Sequence, residues 1–202
     1  MHKLIENQVR ISVRNLVEFI LRSGDIDNRH STKAQYDAMQ IGSRLHRKIQ
    51  GSMPGTYKAE VSLKHTAHYR DVEILLEGRA DGIITPDEKS VKEEQANLLY
   101  KTQTDGNVSA EILFIIDEIK VIRQDMEKLD SAAQVHAAQA LCYAYMYARV
   151  LNTKAASITG ENKENTRPCI GIQITYCHPE TEEIKRFLKV YTFKEIKEEF
   201  DR

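Results

Sequence analysis

A near-continuous apolar run over residues 112–122 predicts a strand that is buried on both faces of a sheet. The run is rich in β-branched residues, which favour strands. Three charged residues interrupt it, namely Asp117, Glu118 and Lys120. Because side chains alternate along a strand, Glu118 and Lys120 share one face and Asp117 lies on the other. Burying an unpaired charge is costly, so the pattern predicts a partner, a metal ion or access to solvent at these positions.

Before this strand, helical and strand periodicities predict a set of shorter elements. Ser12 is a candidate N-cap for the first helix, and Gly24 is its stop signal. The predicted helices cover residues 11–22 and 32–49, and the predicted strands cover residues 57–63, 72–76 and 78–84, the last two as one strand or two. The polar residues 85–111 predict an exposed insertion with one short helix near 91–100.

After the central strand, an alanine-rich segment predicts a helix over residues 130–151, with Asp130 or Ser131 as its cap. A polar linker over 152–167 leads to a predicted hairpin with strands over 169–177 and 184–191. Thr192 is predicted to cap a last helix over 192–202, which would lead into a further domain if the chain is part of a longer one. This order of elements predicts an α/β fold, in which helices cover both faces of a mixed central β-sheet.

Composition and charge limit the classes of function. The chain has 202 residues, of which 41% are apolar and 29% charged, so it is predicted to form a single domain over 1–202 with a buried core. Its net charge of -1 gives no general attraction to nucleic acid, so any nucleic-acid binding would need a local basic patch. There is no apolar run of the roughly 20 residues that cross a bilayer, and no signal-peptide core. We therefore expect a cytoplasmic protein without membrane contact.

Four short motifs lie in order along the predicted elements. They are Gly42–His46 (GSRLH) on the second helix, Gly78–Gly82 (GRADG) on a strand, Asp117–Lys120 (DEIK) on the central strand and Gln139–Tyr143 (QALCY) on the alanine-rich helix. Each motif alone is weak, because short charged motifs occur by chance in many proteins. Together and in this order they resemble the PD-(D/E)xK nuclease superfamily, specifically its RecB-like branch. The resemblance covers residues 46–143 and implies a restriction-endonuclease-like core.

The resemblance implies a site for a divalent cation, Mg²⁺ or Mn²⁺. Its ligands would be the side chains of His46, Asp81 and Glu118 and the main-chain carbonyl of Ile119. A histidine ligand suits Mn²⁺ well. Such a cation lowers the pKa of water and neutralises charge on the scissile phosphate. Lys120 would orient or deprotonate the attacking water, or stabilise charge in the transition state.

A further group of residues is expected to bind the DNA backbone or to support the lysine and the ligands: Gln139, Tyr143, His136, Arg44 and Arg47. The glutamine and the tyrosine are four residues apart and therefore share one helix face, and the histidine lies one turn before them. The two arginines flank the histidine ligand and would form a basic edge that follows a phosphate backbone. Two features depart from the family pattern: Ala80 stands where the superfamily name has proline, and the insertion lengthens the separation of Asp81 from Glu118.

The resemblance implies a metal-dependent DNA nuclease, an exonuclease on single strands or DNA ends that acts in repair, recombination or defence and is linked to a helicase domain or subunit. Two alternatives stay open. One is a catalytically silent module of the same fold that binds DNA or a partner protein. The other is a restriction-like endonuclease on duplex DNA, with residues 85–111 as its recognition region. Structural roles also stay open, with His46 as an ordinary helix histidine and Glu118 with Lys120 as an ion pair at a strand end.

Overall fold

The structure, a computed structural model, describes residues 8–21, 32–85, 109–154 and 166–202. Within these ranges, a six-stranded mixed sheet is flanked by four helices, so the predicted α/β class is confirmed. The strands are β1 (Gln8–Ser12), β2 (Tyr57–Tyr69), β3 (Val72–Ile84), β4 (Ser109–Val121), β5 (Thr166–Cys177) and β6 (Ile184–Thr192). The helices are α1 (Val13–Ile20), α2 (Thr32–Gly51), α3 (Gln134–Lys154) and α4 (Phe193–Asp201), and a short 3₁₀ turn (Met126–Lys128) precedes α3.

The sheet has the strand order β1-β3-β4-β5-β6, and β2 pairs with the other edge of β3. Strand β3 is parallel to β1 and antiparallel to β2 and β4. Strand β4 is parallel to β5, which forms an antiparallel hairpin with β6. The central position of β4 and the hairpin at the end of the chain were both predicted from the sequence, and both are confirmed.

Helices cover both faces of the sheet, as predicted. On one face, Phe114 and Ile116 of β4 belong to the main core together with residues of α1, α3 and α4. On the other face, Ile119 of β4 packs against Leu45 and Ile49 of α2. Because both sets are almost completely buried, the near-continuous apolar pattern of β4 is explained by packing on two sides.

The predicted first helix over residues 11–22 is wrong at its start. Residues 8–12 form strand β1, in which Ile11 pairs with Leu76 of β3, and the helix begins at Val13. Ser12 is the N-cap, as predicted, and its hydroxyl accepts a hydrogen bond from the Asn15 amide. The short strand forms because β3 offers a parallel pairing edge, a long-range contact that a helical spacing of apolar residues does not reveal. The predicted stop at Gly24 lies outside the described residues.

The helix predicted over 130–151 also begins later than expected, and neither Asp130 nor Ser131 caps it. Helix α3 starts at Gln134, and the amide of Ala133 just before it donates a hydrogen bond to the Tyr176 hydroxyl of β5. The side chain of a residue in β5 therefore satisfies this amide in place of a local cap.

Among the described residues, no helix has both the length and the apolar character that a bilayer crossing requires.

Strands β2, β4 and β5 extend at least three residues beyond their predicted bounds, and β5 begins at Thr166 in place of residue 169. Strand β2 continues beyond Leu63 to Tyr69 because it pairs with β3 as far as Val72. In the extension Lys64, Thr66 and His68 are exposed at the sheet edge, whereas His65 is half-buried against the rings of Tyr145 and Phe200. Strand β4 starts at Ser109, where it pairs with Thr166 of β5, so the predicted insertion ends earlier than residue 111. Residues 86–108, the rest of that insertion, lie outside the described residues. The predicted alternatives of one or two strands over 72–84 resolve to the single strand β3.

Thr192 caps the last helix, as the sequence predicted. Its hydroxyl accepts a hydrogen bond from the Glu195 amide, and the Glu195 carboxylate accepts one from the Thr192 amide. This reciprocal arrangement is a capping box, which satisfies two amides at the start of α4. It fixes the turn from β6 into a helix that packs on α3.

Candidate active site

The four sequence motifs meet where strands β3 and β4 diverge. Strand β3 pairs with β4 only from Gly82 to Ile84, whereas the first half of the same edge pairs with β1 from Glu73 to Glu77. Residues 78–81 lie between these two ladders, and no described strand pairs with that edge there. We call this interval the strand fork. Its main-chain groups must find partners other than a neighbouring strand, which leaves room for side chains.

Asp81 and Glu118 lie on the two sides of the strand fork. Asp81 directly precedes Gly82, the first residue of β3 that pairs with β4, and Glu118 directly follows its partner Asp117 on β4. Oδ2 of Asp81 accepts a hydrogen bond of 2.8 Å from the amide of Ile119. The carboxylate thereby takes the place of the main-chain carbonyl that a neighbouring strand would offer, and it links β3 to β4 at the fork.

Helix α2 brings His46 to the same place. Leu45 and Ile49 fix the helix against the sheet, and this packing turns His46 and Gln50, which are four residues apart, toward Asp81. Nδ1 of His46 lies 3.6 Å from Oδ1 of Asp81, and Nε2 of Gln50 donates a hydrogen bond of 2.9 Å to the Asp81 carbonyl. Gln50 was not predicted from the sequence, although its position one turn after His46 was a usable signal.

Lys120 links Glu118 to helix α3. Its ammonium group donates hydrogen bonds to Oε1 of Glu118 at 2.6 Å and to Oε1 of Gln139 at 3.2 Å. Gln139 is in turn hydrogen-bonded to the hydroxyl of Tyr143, which also interacts with the main chain of Arg79 inside the strand fork. The glutamine and the tyrosine therefore hold Lys120 in place and fill part of the fork.

Gly78 makes the approach of Tyr143 to the fork sterically feasible. A Cβ atom at position 78 would lie 2.7 Å from the hydroxyl oxygen of Tyr143 and 2.8 Å from Cε1 of its ring. These distances are shorter than real Cβ contacts, so a larger residue would displace the ring. The motif glycine is thus explained by a close approach of a helix side chain to the strand.

The charges at the fork are strongly coupled. Burial and the nearby charge of Asp81 raise the pKa of Glu118 to about 7, against the opposing effect of Lys120. Burial tends to lower the pKa of His46, but its interaction with Asp81 outweighs burial and raises that pKa above the ordinary value. The carboxylates at the fork therefore depend on nearby cations to stay ionised, and shifted pKa values of this kind are typical of functional sites.

The donor set fits a hard divalent cation in its chemistry. Oε2 of Glu118 is buried and has no hydrogen-bond partner among the described residues, and its side chain is only 2% exposed. An orphaned buried carboxylate oxygen beside Asp81, His46 and the Ile119 main chain matches the oxygen-rich set that Mg²⁺ and Mn²⁺ prefer. In their present positions, however, no three His, Cys, Asp or Glu side chains of the described part of the chain are grouped so that they could hold a metal ion.

If a cation binds at the fork, Mn²⁺ should stabilise the folded protein. At about 100 times its Kd, a ligand adds about 2.7 kcal/mol, which corresponds to roughly 5 °C or more in melting temperature for a chain of this size. We expect this shift in wild type and its loss in Glu118→Gln. The Glu198→Gln variant, which changes an exposed carboxylate on α4, should keep it. An equal shift in Glu118→Gln, measured by thermal melting, would place the cation elsewhere.

Three predicted residues lie outside this group of contacts. Arg44 forms an ion pair of 2.8 Å with Glu182 in the turn between β5 and β6, on the side of α2 away from His46. Nε of Arg47 donates to the carbonyl of Ser43 within its own helix. Nδ1 of His136 lies 2.8 Å from the hydroxyl of Tyr176. Burial and the charge of Lys120 lower the pKa of this histidine to about 4, so it is neutral near pH 7 and close to the site.

Asp117 lies on the opposite face of β4 from Glu118, as the alternation predicted. Its Oδ1 accepts hydrogen bonds from Gln173 at 3.0 Å and Thr175 at 2.6 Å, and its Oδ2 accepts one of 3.2 Å from Tyr57. Burial raises the pKa of Asp117, and these three hydrogen bonds oppose the rise. The network joins β2, β4 and β5 directly behind the strand fork. Tyr57, Gln173 and Thr175 were not predicted from the sequence as members of this network.

Comparisons with known proteins add little to this geometry. No protein-family model matches the chain, and no curated protein matches it. Seven chains of solved structures match. One is described as the crystal structure of SSO0001, at 15% sequence identity and a TM-score of 0.49, over 95% of this chain and 73% of that chain. A similarity of this degree gives no information on the chemistry of the strand fork.

Proposed function

We propose that this protein is a metal-dependent deoxyribonuclease that hydrolyses phosphodiester bonds at the strand fork. The observation that carries the proposal is the meeting of Asp81, Glu118 and Lys120 at one point, with a buried oxygen of Glu118 left without a partner among the described residues. A structural ion pair alone would explain Lys120 and one oxygen of Glu118. It would not explain why His46, Asp81 and a second carboxylate oxygen lie beside them.

The residues at the strand fork have distinct tasks in this proposal. Asp81, Glu118, the Ile119 carbonyl and His46 would hold Mg²⁺ or Mn²⁺, which when bound supplies an activated water and neutralises charge on the phosphate. Lys120 would orient the attacking water or stabilise the growing negative charge, because its ammonium is held in a fixed position by two oxygen acceptors.

Helix α3 provides the rigidity that this chemistry needs. Gln139 holds Lys120 on one side and Tyr143 on the other, so the lysine has few alternative positions. Preorganised charges cost no rearrangement when the transition state forms. A strand of DNA, single or at a duplex end, is the substrate that we infer, with a helicase domain or subunit as an additional partner.

The test is cleavage of end-labelled DNA in single- and double-stranded form with Mg²⁺, Mn²⁺ or EDTA. We expect wild type to cut only with metal and Asp81→Asn to lose at least about 100-fold in rate, because the variant loses the negative charge that holds the cation. The asparagine can still accept the Ile119 amide through its carbonyl oxygen, so the fold should persist. Equal cutting by Asp81→Asn would show that the activity does not belong to this site.

A second candidate is a non-cleaving module of the same fold that binds DNA or a protein. The arrangement that favours it is the ion pair of Lys120 with Glu118, together with the absence of a three-residue ligand group in the described part of the chain. In that case, wild type with intact folding would bind DNA or a partner and remain inert with both metals. The cleavage assay therefore separates the two candidates directly.

A further inference from the structure

Arg14 lies beside the strand fork, on a helix that the sequence motifs do not include. Strand β1 pairs with β3 as far as Glu77, and helix α1 begins immediately after it at Val13. The first turn of α1 is therefore adjacent to residues 78–81 of the fork. Helix α1 also packs against α3, which carries Gln139 and Tyr143.

Arg14 forms an exposed ion pair with a residue of its own helix. Its Nε lies 2.7 Å from Oε1 of Glu18, and both side chains are mostly exposed, at 70% and 53%. The hydrogen bond and the charge of Glu18 raise the pKa of Arg14, and the charge of Glu118 raises it further. Glu18 in turn acts on His136 of α3. The pair thus lies within electrostatic range of the candidate site from the α1 side.

The fork needs such a cation if it receives nucleic acid. Asp81 and Glu118 oppose the approach of a phosphate, and Lys120 is already bonded to Glu118 and Gln139. Of the basic residues predicted for this task, Arg44 is paired with Glu182, and Nε of Arg47 donates to a carbonyl of its own helix. Arg14 is paired as well, but its partner Glu18 is more exposed than Glu182, at 53% against 28%, and Arg14 also feels the charge of Glu118 at the fork. Arg14 is therefore the guanidinium that we place at the fork.

We propose that Arg14 binds a phosphate group of a nucleic-acid strand at the edge of the fork and that Glu18 is its exchangeable counter-ion in the free protein. This inference rests on the proposed function. Exposed ion pairs four residues apart on a helix are weak, so exchange of Glu18 for a phosphate is easy. A guanidinium can bind a phosphate through two parallel hydrogen bonds, which gives the strand a fixed position as well as affinity.

The experiment measures binding of a labelled single-stranded oligonucleotide in EDTA over a range of salt concentrations. We expect Arg14→Gln to bind about 10-fold more weakly and its salt slope to fall by about 0.7, the value for one lost phosphate contact on a single strand. Arg14→Lys should keep the slope. Glu18→Gln should bind more tightly than wild type, because it removes the competing carboxylate.

The matched controls are Lys194→Gln and Glu198→Gln, which alter an exposed pair with the same spacing on α4. They should change neither affinity nor slope.

In a parallel assay with Mn²⁺, Arg14→Gln should raise KM for DNA cleavage and leave kcat nearly unchanged. Oligonucleotides with a 5′-phosphate or a 5′-hydroxyl identify the group bound. If Arg14→Gln weakens the binding of both, Arg14 contacts an internal phosphate. If it weakens only the binding of the 5′-phosphorylated strand, Arg14 contacts the terminal phosphate.

The binding and cleavage arms separate this inference from the proposed function. If wild type cuts DNA but Arg14→Gln keeps the affinity and slope of wild type, the phosphate contact is wrong and the nuclease function stands. If wild type binds without cutting and Arg14→Gln lowers the slope, the contact stands and the nuclease function fails. A wild type that does not bind the oligonucleotide overturns the phosphate contact.

Discussion

Replacing Lys120 with methionine should abolish DNA cleavage and lower the melting temperature of the metal-free protein by about 10 °C. The ammonium is the cationic hydrogen-bond partner of Glu118, a side chain that is only 2% exposed. Removal of one member of a buried ion pair leaves an uncompensated charge, which costs on the order of 3–5 kcal/mol. Because the pKa of Glu118 is about 7 even beside Lys120, the melting is compared at a pH well above 7, where protonation does not neutralise this carboxylate in wild type. For a chain of about 200 residues, each kcal/mol corresponds to roughly 2–4 °C.

A bound cation should reverse this loss of stability, because it would take the place of the missing ammonium beside Glu118. We therefore expect Mn²⁺ to raise the melting temperature of Lys120→Met by more than that of wild type. The control is the double variant Glu118→Gln, Lys120→Met, which has neither charge and should melt near wild type without a response to metal. If Lys120→Met melts like wild type in EDTA, the Lys120–Glu118 pair contributes little to stability and Glu118 does not need the ammonium as a counter-ion.

The sequence allowed the central strand to be predicted because its signal is local and strong. An apolar run with β-branched residues can be placed in a buried strand without knowledge of its neighbours. Strand β1 could not be predicted in this way, since its five residues form a strand only by pairing with β3, more than 60 positions along the chain. The late start of α3 has the same cause, because Tyr176 of a distant strand satisfies the Ala133 amide.

In the candidate site, too, some features could be predicted from local sequence and others depend on distant residues. The motif residues Asp81, Glu118, Lys120 and Gln139 could be named from their order along the chain, and the structure brings them into contact. Their proposed roles remain predictions. The engagement of Arg44 could not be foreseen, because its partner Glu182 is 138 positions away in a hairpin turn. Spacing indicates which residues share a helix face, whereas it does not indicate which of them find a counter-ion.

Replacing Gly82 with alanine should destabilise the fold by at least about 3 kcal/mol. A Cβ atom at this position would lie 1.9 Å from the hydroxyl oxygen of Tyr57 and 2.0 Å from Cζ of its ring. The ring cannot move away without cost, because its hydroxyl donates to the buried Asp117 behind the strand fork. A shifted ring leaves that carboxylate with one donor fewer, and overpacking adds strain of about 1–3 kcal/mol.

Urea unfolding of a double-mutant cycle measures this clash. Tyr57→Ala should be destabilising in the wild-type background but nearly neutral with Gly82→Ala, since the second variant has already lost the Tyr57 contacts; the coupling should reach about 2 kcal/mol. Gly42→Ala is the matched control, because nothing lies within 4 Å of a Cβ there and alanine favours a helix by up to about 1 kcal/mol. Additive changes would mean that the sheet relaxes around the added methyl group. Coupled changes, together with a loss of the Mn²⁺ response in Gly82→Ala, would show that the Tyr57–Asp117 contact holds Asp81 in place from behind the sheet.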